Sequence, residues 1–325
     1  MDIQDVFPEN PLMLSVKYLG TNQTPFTVPW AKGRVQLCTG FNTGRELDDD
    51  LFVNRTAFQD IEETILRYRE CQITSIKDES GSSIATSSEN SSFCISASVG
   101  SSFLGASGRG SYEKSIRDTR NTSSISVTAN HSSGQIEFIQ MPQLNLDAVR
   151  LLTTSNDPIN KFRQMYGDFY VAGYRVGAVN GTTVSGELAN KSFFEAKRAE
   201  IDLVAISKSI DEASASTSDS GGLCVAAFDS LTGFHSSFIA RTYQDSIEAG
   251  NVISANKERA MTIAARAADV LEEVFMGRDQ SACACISQDA VGQLWDRGLV
   301  TGLMLAPFTT LREYQSVLLR RSRTD

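Results

Sequence analysis

Residues 75–133 contain an unusually serine-rich stretch, and within it apolar side chains fall at every second position. Phe93 begins one such series and Ile125 begins another, with Cys, Ser or Thr in between. A period of two is typical of strands with one buried face, so a pair of half-buried strands in a polar sheet is one interpretation. The alternating apolar residues are Phe93, Ile95, Ala97 and Val99, then Ile125, Val127 and Ala129.

A run of aromatic and β-branched residues occupies positions 162–179, and three glycines interrupt it. Such residues favour strands, so the pattern predicts one long strand here. Glycine inside a strand usually marks a bend, a bulge or the close approach of another backbone. We therefore expect this strand to bend or twist sharply at Gly167, Gly173 and Gly177.

A second serine-rich segment follows, within residues 192–238. From Ser192 to Ile210 the spacing of apolar and charged residues predicts a helix in water. A low-complexity stretch comes next, and then Leu223, Val225 and Ala227 alternate as they would in a strand. Two serine-rich segments therefore flank the glycine-interrupted run.

Apolar residues three and four positions apart predict two further helices. One runs from Thr56 to Tyr68. The other, from Ser254 to Phe275, is the clearest in the chain and has Ser254 or Asn256 available as its N-cap. We expect residues 254–325 to form a mainly helical C-terminal region that ends in a short helix.

The overall charge and the start of the chain exclude several classes of protein. Thirty basic and 39 acidic side chains leave a net charge of −9, which disfavours nucleic acid as a partner. No apolar run approaches the length of a spanning helix, and the first residues lack the pattern of a secretion signal. We expect a soluble, leaderless protein that stays cytoplasmic or is released by lysis or unconventional secretion.

Catalysis finds little support in the sequence. His131 and His235 each lie in serine-rich stretches without Cys, Asp or Glu at ligand spacing. Cys283 and Cys285 form a close pair, but idle thiols are the simpler interpretation. We expect no enzyme activity, no metal site and no cofactor.

The glycine-interrupted run resembles the signature of the membrane attack complex/perforin (MACPF) family. That signature is Tyr or Trp, Gly, Thr or Ser, His, Phe or Tyr, six residues, then Gly-Gly. Here Tyr166, Gly167 and Tyr170 fall in register, and Gly177 takes the place of the first distal glycine. The departures are Asp168 for Thr or Ser, Phe169 for His, and Ala178 for the second glycine.

The ends of the chain extend the resemblance. Residues 303–308 are similar to the family's closing strand, and residues 37–42 are similar to its opening turn. The resemblance implies a single α+β domain over residues 1–325. Its sheet would be MACPF/cholesterol-dependent-cytolysin-like: central, antiparallel, bent, twisted and flanked by two helical clusters. Residues 162–179 would be its signature strand, with Tyr166, Gly167, Tyr170, Gly173 and Gly177 as signature and hinge positions.

The same resemblance implies a perforin-like pore-forming protein. A soluble monomer would oligomerise into a ring on a lipid membrane and refold residues 75–134 and 192–238 into β-hairpins of a barrel, causing cytolysis as a toxin does. Ser, Ala, Thr and Gly have no strong preference for helix or strand, which suits segments that change between them. The membrane-facing residues would be the two alternating series named above together with Leu223, Val225 and Ala227. The alternative is a non-lytic interaction module of the same fold, or a pore subunit that needs a membrane-binding partner protein.

Overall fold

The computed structural model describes residues 23–29, 34–43, 52–63, 65–80, 123–186, 223–240, 243–275 and 285–321. These residues combine helices with one large antiparallel sheet, an α+β architecture. The strands are β1 (Phe26–Pro29), β2 (Thr39–Phe41), β3 (Phe52–Thr56), β4 (Leu66–Ser80), β5 (Ser123–Phe138), β6 (Phe169–Gly186), β7 (Leu223–Asp229), β8 (Phe234–Ala240), β9 (Cys285–Ile286) and β10 (Val300–Pro307). The helices are α1 (Leu146–Thr154), α2 (Pro158–Tyr166), α3 (Tyr243–Met261), α4 (Ile263–Phe275), α5 (Gln288–Asp296) and α6 (Arg312–Arg321).

Strand β6 is the central strand of the 10-stranded sheet. One edge of β6 pairs with β5, from Gly173 opposite Glu137 to Gly186 opposite Ser123. The other edge pairs first with β10 and then, from Asn180 onward, with β7. Strand β4 lies outside β5, and β8 lies outside β7. Five neighbouring strands, from β4 to β8, therefore make up one end of the sheet.

The core lies between the sheet and the helices. Helix α4 places Ile263, Ala267, Leu271 and Val274 in the core, and it packs on β5 and β6. At the other end of the sheet Phe308 is the centre of an aromatic cluster, with its ring centroid 4.9 Å from that of Phe162 and 5.1 Å from that of Tyr170. Apolar burial of this kind is the main favourable contribution to folding.

Local sequence explains where several helices begin. The side chain of Asn145 caps α1 by accepting a 2.8 Å hydrogen bond from the backbone N–H of Ala148. Pro158 is the first residue of α2, a position where its missing N–H costs nothing. Ser287 caps α5 through the backbone N–H of Ala290, at 3.3 Å.

The predicted helix from Thr56 to Tyr68 is wrong. Strand β3 ends at Thr56, a short 3-10 turn covers Ile61–Glu63, and β4 begins at Leu66. Phe58 is buried and its ring packs on those of Tyr170 and Phe308, whereas Ile65 is 58% exposed, so the residues do not share one buried helical face. Pairing with distant strands overrides the local helical spacing.

The predicted strand at residues 162–179 is wrong in its first part. Phe162 and Tyr166 are buried on one face of helix α2, four positions apart. Gly167, with φ of +89°, ends the helix, and β6 starts at Phe169. Phe162 and Tyr166 therefore enter the core from a helix and not from a strand.

The predicted helix from Ser254 to Phe275 is two helices, α3 and α4, with Thr262 between them. Since α3 begins at Tyr243, neither Ser254 nor Asn256 is an N-cap. The mainly helical region predicted for residues 254–325 also contains strands β9 and β10. Strand β10 stands where the resemblance placed a closing strand.

Candidate functional site

The two segments predicted to insert into a membrane join the sheet at the same end. Strand β4 ends at Ser80, whose pairing partner is Ile125 near the start of β5. Two residues further along β5, Ser123 lies opposite Gly186, and Gly186 lies opposite Leu223. Residues 81–122 and residues 187–222 therefore leave and re-enter side by side, at the end shared by β4, β5, β6 and β7. We call this the open end of the sheet.

The predicted membrane-facing residues divide into two groups. Phe93, Ile95, Ala97 and Val99 lie outside the described residues, as does the predicted helix from Ser192 to Ile210. The others belong to paired strands: Ile125, Val127 and Ala129 to β5, and Leu223, Val225 and Ala227 to β7.

Two members of these series with described side chains, Ala129 and Ala227, lie on the helix-covered face of the sheet. Ala129 of β5 pairs with Asn180 of β6, and Ala227 of β7 pairs with Thr182, two residues further along β6, so the two alanines share a face. Ala129 and Ala227 are both 0% exposed. Helix α3 packs on β6 and β7. In this state the two alanines are core residues, and their contact with lipid remains a prediction.

Asn256, in the C-terminal half of α3, anchors that helix to the sheet. Its side chain is fully buried and exchanges two hydrogen bonds with the amide of Asn180, at 2.9 and 3.1 Å. It also lies 2.9 Å from the carbonyl oxygen of Gly181 and 2.8 Å from the hydroxyl of Thr182. An amide has two N–H donors and one carbonyl oxygen, so these partners satisfy it fully.

A buried ion pair extends this polar cluster. Arg266 of α4 donates two 2.8 Å hydrogen bonds to Asp229, whose side chain is 1% exposed. Asp229 also accepts bonds from Asn180, at 2.9 Å, and from Thr232. Burial acts to raise the pKa of Asp229, but the bonds from Arg266 and Asn180 and the charge of Arg266 hold that pKa below its ordinary value. We call Asn180, Asp229, Asn256 and Arg266 the polar anchor.

Irregular pairing falls at one level in three adjacent strands. The register of β4 against β5 shifts between Glu70 and Ile73, opposite Ser132 and Gly134. The register of β5 against β6 shifts at the same two residues, opposite Gly177. Bulges bend strands and increase their twist. We call this level the bulge row.

At two of the predicted hinge positions a neighbouring backbone lies so close that there is no room for a side chain. A Cβ on Gly177 would lie 1.9 Å from the carbonyl oxygen of His131, and one on Gly173 would lie 2.4 Å from that of Ile136. Neither glycine has a positive φ, whereas Gly167 does. At both positions the neighbouring backbone is that of β5, and the hinge role of these glycines stays a prediction.

Side chains on β4 hold the bulge row in place. The Tyr68 hydroxyl donates to the carbonyl oxygen of Ser133, at 2.8 Å, and burial raises the pKa of Tyr68 to about 12. Thr74 Oγ1 and His131 Nδ1 are 2.7 Å apart. His131 is 5% exposed, and burial lowers its pKa because it disfavours the charged ring.

Several residues of the predicted signature lie in the packed part of the fold. Tyr166 and Tyr170 are buried, and burial raises the pKa of both phenols, that of Tyr170 to about 12. Asp168, the residue that departs from the signature, joins β2 to α2. It accepts a 2.8 Å bond from the backbone N–H of Thr43, a second bond from the Thr43 hydroxyl, and pairs with Arg163 at 3.2 Å.

The described residues contain no group of three His, Cys, Asp or Glu that could hold a metal ion. Cys71 is an exposed free thiol and Cys285 is exposed, and Cys283 and the side chain of His235 lie outside the described residues. Across the described ranges, no helix combines the length and apolar character needed to span a membrane.

Sequence reasoning missed the polar anchor. Asn256 was considered only as a helix cap, and Asp229 and Arg266 were not singled out. One signal was present: Asn256 stands among Ala249, Ile253 and Ala260, at spacings of three, four and seven, on the buried face of a helix. A polar residue in that stripe needs a buried partner.

Comparison with solved structures finds distant similarity. GNIP1Aa from Chromobacterium piscinae is 12% identical over 93% of this chain and 56% of its own, with a TM-score of 0.31. A cell invasion protein with a MAC/Perforin domain from Bacteroides thetaiotaomicron is 11% identical over 69% of this chain and 55% of its own, with a TM-score of 0.30. This chain thus spans little more than half the length of either protein. No family model and no curated protein matches the sequence.

Proposed function

We propose that the protein forms pores in lipid bilayers, as a homo-oligomeric ring in which residues 81–122 and 187–222 become β-hairpins that extend the sheet. The observation that carries this proposal is the open end, where both segments join four consecutive antiparallel strands in a common register. Hairpins formed at this end would continue the hydrogen-bonded strand pairs that the sheet already contains, and no new strand pair would have to be started.

The physics of the bilayer supports insertion as a ring. Within lipid every backbone N–H and C=O needs a partner, so strands can span only as a closed barrel. Among the described residues the outer edge of β4 pairs only at Leu66 and Arg67, with β9. The rest of that edge, up to Ser80, can pair with a second copy of the chain. Gly177, at the bulge row, and Gly173, near it, would permit the sheet to change its twist during assembly.

The second segment favours the alternative, a non-lytic interaction module or a subunit that needs a membrane-binding partner. Lys197, Arg198, Glu200 and Asp202 place charges at both odd and even positions. Since successive residues of a strand point to opposite sides, such a strand has charge on both faces and no continuous lipid face.

Dye release from liposomes tests the proposal. Protein is added over a range of concentrations to vesicles with and without sterol or sphingolipid. A pore predicts release that rises steeply with concentration, together with ring-shaped assemblies in electron micrographs. Absence of release from every lipid mixture would contradict pore formation by this protein alone and leave the interaction module or the subunit that needs a membrane-binding partner.

A further inference from the structure

The bulge row is a weak level in the pairing of β4 with β5. Two residues of β4, Cys71 and Gln72, stand here opposite one residue of β5, Ser133, so the regular strand pairing is interrupted. The Ser133 hydroxyl is buried and has no hydrogen-bond partner among the described residues. Because a buried polar group without a partner costs free energy, the two strands separate more readily here than at a regularly paired level.

His131 lies beside this interruption and is closed off from water. It is 5% exposed, and it lies two residues from Ala129 on the helix-covered face of the sheet. Its Nδ1 is bonded to Thr74 Oγ1 on β4, and its backbone carbonyl oxygen lies close to Gly177 on β6. Thr74 itself is exposed. Separation of β4 from β5 at this level would therefore bring the imidazole of His131 into contact with water.

The flanking strands present no opposite charge to His131. The residues directly opposite it are Thr74 on β4 and Ala178 on β6, and both are uncharged. On β4, burial and then the charge of Glu70 raise the pKa of Tyr68, whereas the pKa of His131 is lowered by burial alone. A protonated His131 would thus have a neutral partner on each side.

The helices that cover this face of the sheet offer no carboxylate either. Helix α4 presents Arg266 to the sheet, and that side chain is bonded to Asp229. Helix α3 places Arg259 over the ring of Phe234, 4.5 Å from its centroid. Other charged side chains of these helices are exposed to solvent: Glu248, Lys257, Glu258, Asp269, Glu272 and Glu273. A buried charge without a partner is strongly unfavourable, so the closed sheet holds His131 neutral.

We propose that the bulge row is an acid-sensitive switch: in mild acid His131 takes up a proton, β4 separates from β5 at this level, and the chain assembles and inserts more readily. The inference rests on the proposed function and adds the condition that starts assembly. Water can solvate the charged ring once the strands have separated. Acid therefore favours the open form over the closed form.

Linkage gives the direction and the size of this effect. An imidazole in water has a pKa of about 6.5, and burial lowers the pKa of His131 in the closed form. The advantage of the closed form is therefore complete above about pH 6.5 and decreases as the pH falls below it. Between pH 7.5 and 5.5 one such histidine can raise the ratio of open to closed form by up to about ten-fold.

Hydrogen exchange of the backbone amides of β4 and β5 tests the switch in buffer, without membranes. After correction for the intrinsic exchange rate, we expect the amides around the bulge row to open several-fold more often at pH 5.5 than at pH 7.5. His131→Gln keeps a hydrogen-bonding side chain that cannot be protonated, and it should remove this difference. His235→Gln, which removes the other histidine of the chain, is the matched control and should respond as the unmodified protein does.

An NMR titration requires no change at His131. In His235→Gln the remaining imidazole is that of His131, and its pKa should lie below about 6.5. A pKa at or above that value overturns the switch. This measurement decides the matter even if His131→Gln does not fold.

Dye release from liposomes at the same two pH values tests the consequence for pore formation. We expect the unmodified protein and His235→Gln to release dye several-fold faster at pH 5.5, and His131→Gln to release it at nearly the same rate at both pH values. A pH dependence of release that persists in His131→Gln overturns the control of assembly by this residue.

The exchange and release measurements separate the two claims. Exchange that is equal at both pH values, or that keeps its pH dependence in His131→Gln, overturns the switch whether or not dye is released. If exchange responds as predicted but the unmodified protein releases no dye at either pH, the proposed function fails, while the acid response of the bulge row stands.

Discussion

Asn256 of α3 and Asn180 of β6 exchange two amide hydrogen bonds, at 2.9 and 3.1 Å, across a helix–sheet contact from which both side chains are excluded from solvent. Such a pair specifies one position of the helix, because any sliding of α3 along β6 leaves buried amides without partners. Helix α3, which packs on β6 and β7, is therefore held by directional bonds as well as by apolar packing.

Replacement of Asn256 should be costly. Asn256→Ala leaves the Asn180 amide and the Gly181 carbonyl oxygen unsatisfied, and we expect a loss of about 2–4 kcal/mol in the free energy of unfolding. Denaturant titration measures this loss. Ser254→Ala, an exposed position on the same helix, is the control and should change stability by less than about 0.5 kcal/mol. Equal losses of unfolding free energy in the two variants would show that the buried hydrogen bonds of Asn256 do not stabilise the fold.

The ion pair of Asp229 and Arg266 predicts a loss of stability in acid. Because the folded-state pKa of Asp229 is lowered, its contribution is complete above the unfolded pKa, near 4, and is lost as the pH falls through the folded value. Asp229→Asn should lower the free energy of unfolding by about 3–5 kcal/mol at neutral pH. The difference in unfolding free energy between this variant and the unmodified protein should become smaller in acid.

The exposed pair of Arg297 and Glu273, with side chains 57% and 56% exposed, is the control for that experiment. Glu273→Gln should cost less than about 1 kcal/mol at any pH. If the loss of unfolding free energy caused by Asp229→Asn stays constant from neutral pH to pH 3, the pKa of Asp229 is not lowered in the folded state.

His131 predicts a second pH dependence, at higher pH. Its folded pKa lies below the unfolded value of about 6.5, so the unfolded state binds more protons between the two values. Its stability contribution is therefore complete above about pH 6.5 and decreases as the pH falls toward the folded pKa. His131→Gln should remove this part of the slope, measured as unfolding free energy between pH 7.5 and 5.5. Parallel curves for the two proteins would contradict the role of the buried imidazole.

Substitution of Gly177 or Gly173 by any residue with a side chain should destabilise the fold. Gly177→Ala and Gly173→Val push a carbon into carbonyl oxygens of β5, and we expect losses of about 1–3 kcal/mol or more. Gly292→Ala in helix α5 is the control, since its Cβ would meet its nearest neighbour at an ordinary 3.6 Å and alanine favours the helix. If Gly173→Val folds and forms pores as the unmodified protein does, the hinge role is wrong.

The sequence predicted the features that depend on local pattern and missed those that depend on tertiary partners. The interrupted strand β6 and its glycines were foreseen, because β-branched residues and glycine have strong local preferences. The region from Thr56 to Tyr68 was not, since Phe58 is buried against Tyr170 and Phe308, far along the chain. Ala129 and Ala227 show the same limit, because period two identifies a covered face without identifying what covers it.

Conductance across a planar lipid bilayer tests pore formation most directly. The account predicts discrete, long-lived steps of large conductance that appear above a threshold concentration, with Ala97→Arg silent and Ser96→Arg active. Gradual, unstepped loss of membrane resistance, or no current at any concentration or lipid composition, would contradict the account.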